Sequence, residues 1–273
     1  MFSLDYKTHW SKFNQTPALT AGLILFTCIL FLLNVYDVMD KSPFILYPNS
    51  PLELNLNAIS LYLLFHTNFG HWFINVLGIA TPLAMYEATH GTIYTGITLN
   101  LLAVITALQY CLVGQILYPH TGVIGLSGII FSLLSYTSYK EHQNRPVIHT
   151  YRVSSYEIKI YTLAVPFIFL VFMTILMPGS SFFGHLAGVF AGFLLGMGYL
   201  KKLFPPSTAI IWIENKVEPV IKLINKLVTF VKEEDAINKR SVTYVSMFSS
   251  DLETGSVNTR PPTYSAETRV LGA

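Results

Sequence analysis

Ser127 stands between glycines in an apolar run, Gly125-Leu126-Ser127-Gly128. A hydroxyl in hydrocarbon needs a partner, and a serine becomes a nucleophile only when a neighbouring base takes its proton. One base stands out downstream: His185, in "SFFGHLAGVFAGFLLG". Imidazole, with an ordinary pKa near 6.5, suits proton transfer at neutral pH. Acyl transfer also needs donors for the charge that develops on the carbonyl oxygen. His71 and Asn75, in "HWFIN", are spaced i, i+4 and share a helical face. Both carry N–H donors, the Ser127 amide is a third, and His66 lies five residues upstream of His71. Each residue also has a plainer reading. A serine beside glycine packs helices, a lone histidine bonds a carbonyl, and an HxxxN pair ties two helices together.

These residues sit in a chain whose composition points to a membrane. Of 273 residues, 52% are hydrophobic and 12% charged, about half the charged share of a soluble domain. No Asp, Glu, Lys or Arg occurs over 91–139 or 160–200. A spanning helix needs about 20 apolar residues. Six spans are expected: Ala18–Tyr36, a second within Phe69–Tyr86, Ile93–Val113, Val123–Tyr139, Ile160–Met177 and Phe182–Leu203. Backbone satisfaction in lipid makes them helices, because the alternation of barrel strands is absent. The expected fold is an all-α polytopic bundle over 18–203. It follows a cytosolic segment 1–17 and precedes an amphipathic cytosolic segment 204–238 and a disordered tail 239–273. The first apolar run is long enough to span and lacks the basic flank of a cleaved signal. Cys28 and Cys111 fall inside spans and imply no disulfide framework.

Sixteen of the seventeen basic residues fall on one side of this arrangement, and only Lys41 on the other. Basic loops stay cytosolic, so both termini are expected there. Ser127 then lies about four residues, roughly 6 Å, into span four from the opposite face. His185 heads span six and His71 and Asn75 head span two on that same face. Small residues let helices approach: Gly184, Gly188, Gly192 and Gly196 recur every four residues in span six. Gly125, Gly128 and Ser132 recur at i, i+3, i+7 in span four. Meeting stripes would bring Ser127 to His185. Other chemistries lack parts. There is no HExxH motif, no acidic pair inside a span, and no thiolate or carboxylate near the histidines to complete a zinc site. No metal and no cofactor is expected, and a net charge of +2 carries no nucleic-acid footprint.

The ordered set of GxSG at Ser127, His185 followed by Gly188 and Gly192, and His71-x-x-x-Asn75 resembles the rhomboid intramembrane serine proteases. His66 falls where that family often has an upstream histidine. Glu87 and Gly91 resemble its acidic-to-glycine end of the second span. The resemblance covers about residues 18–203. It implies a Ser127–His185 dyad without an acidic third member, an oxyanion held by His71, Asn75 and the Ser127 amide, and Phe131 packing on the histidine. The Trp-Arg pair of many members is absent between Asp40 and Ser60. Six spans with a long tail resemble the fungal Golgi-type group. The implied substrates are single-span membrane proteins. The alternative is a non-catalytic relative that binds transmembrane segments for trafficking or degradation.

In the tail, 219–232 places Val220, Leu223, Ile224, Leu227, Val228 and Val231 on one helical stripe, with lysines elsewhere. Such a helix would lie on the cytosolic leaflet against anionic lipid, or pack on the bundle. Pro261, Pro262 and Tyr264 form a PPxY motif of the kind WW domains bind.

Overall fold

The structure is a computed structural model that describes residues 15–153 and 156–242. The architecture is mostly helical. Helix α1 spans Ala18–Val35 and starts after Pro17, which supplies no side-chain cap. A loop with one 3-10 turn (Ser42–Phe44) leads to the short α2, Leu56–Leu61, and a second 3-10 turn over Tyr62–Leu64. Helix α3 covers Phe69–His90 and α4 covers Thr92–Leu117. Helix α5 is Ser127–Asn144, α6 is Val165–Leu176 and α7 is Phe182–Gly196. At 1.5 Å per residue, the 26 residues of α4 reach about 39 Å, more than a hydrocarbon core, whereas the 12 of α6 reach about 18 Å. By length and apolarity α1 and α4 are each sufficient to cross a membrane; α6 and α7 are apolar but shorter.

The second, third and fourth expected spans end four or five residues later, at His90, Leu117 and Asn144, and three other boundaries move for a local reason. Span four was expected from Val123, but α5 starts at Ser127. Val123 is extended instead, exchanging both main-chain hydrogen bonds with Leu46 at 2.9 and 3.0 Å. Ser127 is therefore the first residue of its helix rather than one turn inside it. Span five was expected from Ile160. That residue belongs to an antiparallel hairpin, β1 (Val147–Val153) with β2 (Tyr156–Tyr161), which the all-α reading omits. Pro166 then suits the first turn of α6, where a missing N–H costs nothing. Span six ends early because Gly198 takes φ +85°, a left-handed stop, and a 3-10 segment continues over Tyr199–Leu203.

The centre of the bundle is the contact of α5 with α7, which run parallel. Gly128 faces Gly188, and four residues on Ser132 faces Gly192. A Cβ at Gly188 would overlap the Gly128 carbonyl oxygen, and one at Gly192 that of Ser132. Ser132 Oγ donates at 2.9 Å to both the Gly128 and the Gly188 carbonyl oxygens. The stripes expected to meet do meet, with one correction. Gly125 is not part of the stripe. It lies in the loop before α5 with φ +117°, because the chain must turn there past His71.

The segment after α7 folds back onto the bundle. It forms α8 (Ser207–Lys216), α9 (Glu218–Ile224) and α10 (Glu233–Val242). The single amphipathic helix expected over 219–232 stops at Ile224, where the Asn225 carboxamide oxygen accepts the Phe230 N–H at 2.7 Å. The chain then runs extended. Thr229 N–H donates to Thr16 O, Ala18 N–H to Thr229 O, and Thr92 N–H to Val231 O. Of the expected stripe, Val220, Leu223 and Leu227 are more than half exposed and Val231 is buried; the inward face carries Ile210 and Ile221 instead. The expected boundary between an amphipathic segment and a disordered tail, at 238/239, falls inside α10. The PPxY residues Pro261, Pro262 and Tyr264 lie outside the described residues.

Candidate active site

At the end of the bundle that carries Lys41, the heads of α3, α5 and α7 and the loops before them enclose a cavity of about 510 Å³. Ser127, His185 and His71 all line it. Each is placed by a local device. Asn68 caps α3 by accepting the His71 N–H at 2.9 Å, which sets His71 in the first turn. Ser181 caps α7 by accepting the Gly184 N–H at 3.0 Å, which sets His185 one residue later. Gly125, with its N–H donated to Tyr62 O at 3.0 Å, turns the chain into α5 so that Ser127 is the first helical residue.

Ser127 is half-buried and its Oγ has no hydrogen-bond partner among the described residues. Being first in α5, it sits where helix N–H groups lack intrahelical acceptors and the local field is positive. His185 is buried, stacked on Phe131 at 4.6 Å between ring centres with 28° between planes. That contact was expected of Phe131. His185 Nδ1 has no partner among the described residues, so no carboxylate orients the ring. The α5–α7 glycine contacts hold the two backbones together: the Gly184 carbonyl oxygen lies 3.7 Å from where a Gly128 Cβ would be.

His71 is held from the loop. Thr67 N–H donates to its Nδ1 at 3.5 Å, and Thr67 Oγ1 lies 3.0 Å from the same nitrogen. With Nδ1 accepting, the ring proton resides on Nε2. That edge presses on Gly125, where a Cβ would stand 2.8 Å from Cε1 and 2.9 Å from Nε2. Only glycine fits there, on both space and backbone angle.

Two expected members of the oxyanion group are placed differently. Asn75 is buried below the cavity rather than lining it, because its amide turns back to donate to the His71 carbonyl at 2.7 Å. Its Oδ1 has no partner among the described residues. His66 is buried behind His71, edge-on at 5.2 Å, with both ring nitrogens unpartnered among the described residues. Thr106 and Tyr62 are wall residues that sequence reasoning missed: a Cβ at Gly128 would lie 3.2 Å from the Thr106 methyl and 3.8 Å from Tyr62 Oη. Neither has a local signal, since each reaches the site only through the packing of α2 and α4. Asn68 had one, an Asn just before a helical run, and was legible as a cap. Among the described residues no group of three or more His, Cys, Asp or Glu side chains is close enough to hold a metal ion.

The arrangement is a hydroxyl at a helix start, an imidazole without an acid, and a second imidazole presenting N–H, around one cavity in an apolar bundle. The family profile described as the Rhomboid domain matches residues 54–202. A rhomboid-type serine protease 2 of Candida albicans is 53% identical over 263 residues, covering 94% of this chain and 93% of the relative. Its namesake in Debaryomyces hansenii is 48% identical over 266 residues, covering 95% and 93%. That of Saccharomyces cerevisiae is 37% identical over 235 residues, covering 85% and 88%. The chain belongs to the rhomboid family and is a serine protease of the membrane.

Proposed function

We propose that Ser127 is the nucleophile and His185 its base, in an endopeptidase that cuts single-span membrane proteins near the face on which the cavity lies. The observation that carries this reading is the sharing of one cavity by Ser127, at a helix start, and a buried His185 fixed by Phe131. Ser127 Oγ attacks the scissile carbonyl carbon as His185 takes the hydroxyl proton. The tetrahedral oxyanion is met by the Ser127 N–H and by His71 Nε2–H. His185 then protonates the departing amine. A water, deprotonated by His185, releases the acyl group and regenerates the serine. The absence of a hydrogen bond on Ser127 Oγ in the resting cavity fits a contact that tightens only with substrate. At about 510 Å³ the cavity has room for the water that the hydrolytic step needs.

Asn75 and His66 support His71 in this scheme rather than meeting the oxyanion. A continuous substrate helix hides its carbonyls, so the cleaved segment must unwind, and glycine or proline near that face favours it. The test is cleavage of a reconstituted single-span substrate together with labelling by a fluorophosphonate. Ser127→Ala and His185→Ala should each abolish both while leaving the protein folded in the bilayer. Retention of cleavage in either variant would overturn the assignment.

Lys41 on the cavity side, against Lys140 near the far end of α5 and Lys201 and Lys202 beyond the end of α7, supports cytosolic termini and a luminal cavity. We place the protein in the Golgi by likeness to the fungal group. A C-terminal tag digested in intact Golgi vesicles checks both statements. Pro261-Pro262-x-Tyr264 is a proposed WW-domain site, and binding that survives Tyr264→Ala would exclude it.

A further inference from the structure

The α8–α9 cap has two faces, and only one is used by the bundle. Ile210, Glu214 and Ile221 turn inward and are buried. The outer face carries Trp212, Val220, Leu223 and Leu227, each more than half exposed. An unpartnered apolar stripe on so small a cap is costly in water. Its charge is one-sided. From 201 to 232 the chain holds six lysines and two glutamates. One of those glutamates, Glu214, is buried, and the other, Glu218, is neutralised by Lys232 at 2.7 Å. Lys216, Lys222 and Lys226 are exposed and interleave with the apolar side chains, and Lys216 lies 5.9 Å over the Trp212 ring. Just before the cap, Met197, Tyr199 and Leu203 are also at least half exposed.

We propose that this outer face docks on anionic phospholipid in the leaflet opposite the cavity, with Trp212 and Leu223 in the interface and the three lysines at the headgroups. Apolar burial and lysine attraction to anionic lipid act together there. Tryptophan is suited to that depth because its ring is apolar and its N–H is polar. The inference rests only on the bundle crossing a bilayer and makes no use of Ser127 or His185.

The test uses the full chain in vesicles of phosphatidylcholine, with or without phosphatidylserine. The Trp212 emission is obtained by subtracting that of Trp212→Phe. Lipid brominated near the headgroup end of its acyl chains should quench this emission, and phosphatidylserine should roughly double the quenching. The Lys216→Gln, Lys222→Gln, Lys226→Gln variant should lose the phosphatidylserine increment while keeping the wild-type melting temperature. Quenching by aqueous acrylamide instead of brominated lipid would overturn the proposal, leaving the face in water. Protection from both quenchers would also overturn it, because a protein partner or a second copy would then cover the face. Equal quenching in the two vesicle types would remove the anionic requirement and sink the proposal as stated.

Discussion

Gly22 and Gly192 both lie inside apolar helices, yet a methyl group added to each meets opposite surroundings. At Gly22 a Cβ would find nothing within 4 Å, and at Gly192 it would overlap the Ser132 carbonyl. Gly22→Ala should be neutral or stabilising by up to about 1 kcal/mol, the ordinary gain of alanine over glycine in a helix. Gly192→Ala should destabilise by about 1–3 kcal/mol, the range for forcing extra atoms into a packed core. Thermal unfolding in detergent separates the two, and similar melting points would refute the close approach of α5 and α7. At this scale much of the site was legible. Ser127, His185 and His71 could be picked out because polar groups are conspicuous in a charge-free run. What could not be read was backbone angle. Gly125 has the same spacing as a packing glycine, and only its φ of +117° shows that it serves the turn against His71. The turn of the Asn75 amide toward the His71 carbonyl was hidden for a related reason: sequence shows the helical face a residue shares, not which way its amide rotates.

Between elements, the most connected side chain is Glu87. It is fully buried near the end of α3 and accepts four hydrogen bonds, each 2.8 Å, from Leu19 N–H, Thr20 N–H, Thr20 Oγ1 and Thr92 Oγ1. Pro17 cannot cap α1, so a carboxylate from another helix takes over its orphan N–H groups. The negative charge also suits the positive end of that helix. Glu87→Gln replaces one acceptor oxygen by an NH2 that points at donors. The expected loss is about 1–3 kcal/mol, the cost of leaving buried partners unsatisfied. It should appear as a lower melting temperature and as faster proteolysis around α1. An unchanged melting temperature would show that α1 is held by lipid and packing alone. The helices themselves were readable from apolar run length, but their ends were not. Pairing of Val123 with Leu46, the hairpin over 147–161 and the glycine stop at 198 each depend on contacts or angles with no period in the chain.

Over the whole molecule, the cavity lined by Ser127, His71 and His185 lies at one end and the cap closes the other. The cap carries its own titratable joint. Glu214 is turned inward and both its carboxylate oxygens accept the Glu233 N–H, at 3.0 and 3.1 Å. Burial raises its pKa above the ordinary 4.5. A carboxyl whose pKa is raised on folding binds its proton more tightly when docked, so protonation favours the docked cap. That contribution is present at low pH and is lost as pH rises through the window that opens at 4.5. Amide exchange over 207–242 should therefore slow as pH is lowered from 7 to 4.5, once corrected for intrinsic rates. Glu214→Gln should flatten that dependence, and an equal slope in both proteins would remove Glu214 as its source. The return of the chain was hidden, because Asn225 breaks an amphipathic pattern that looks continuous.

That return fastens the beginning of the protein to a part made much later. Thr16 and Ala18 obtain main-chain partners only when Thr229 arrives, and Thr92 only when Val231 does. A nascent chain stalled before that point would leave its first helix half-tied at the membrane surface. The start of α1 is therefore fully bonded only after the chain up to Val231 has been made and has folded back.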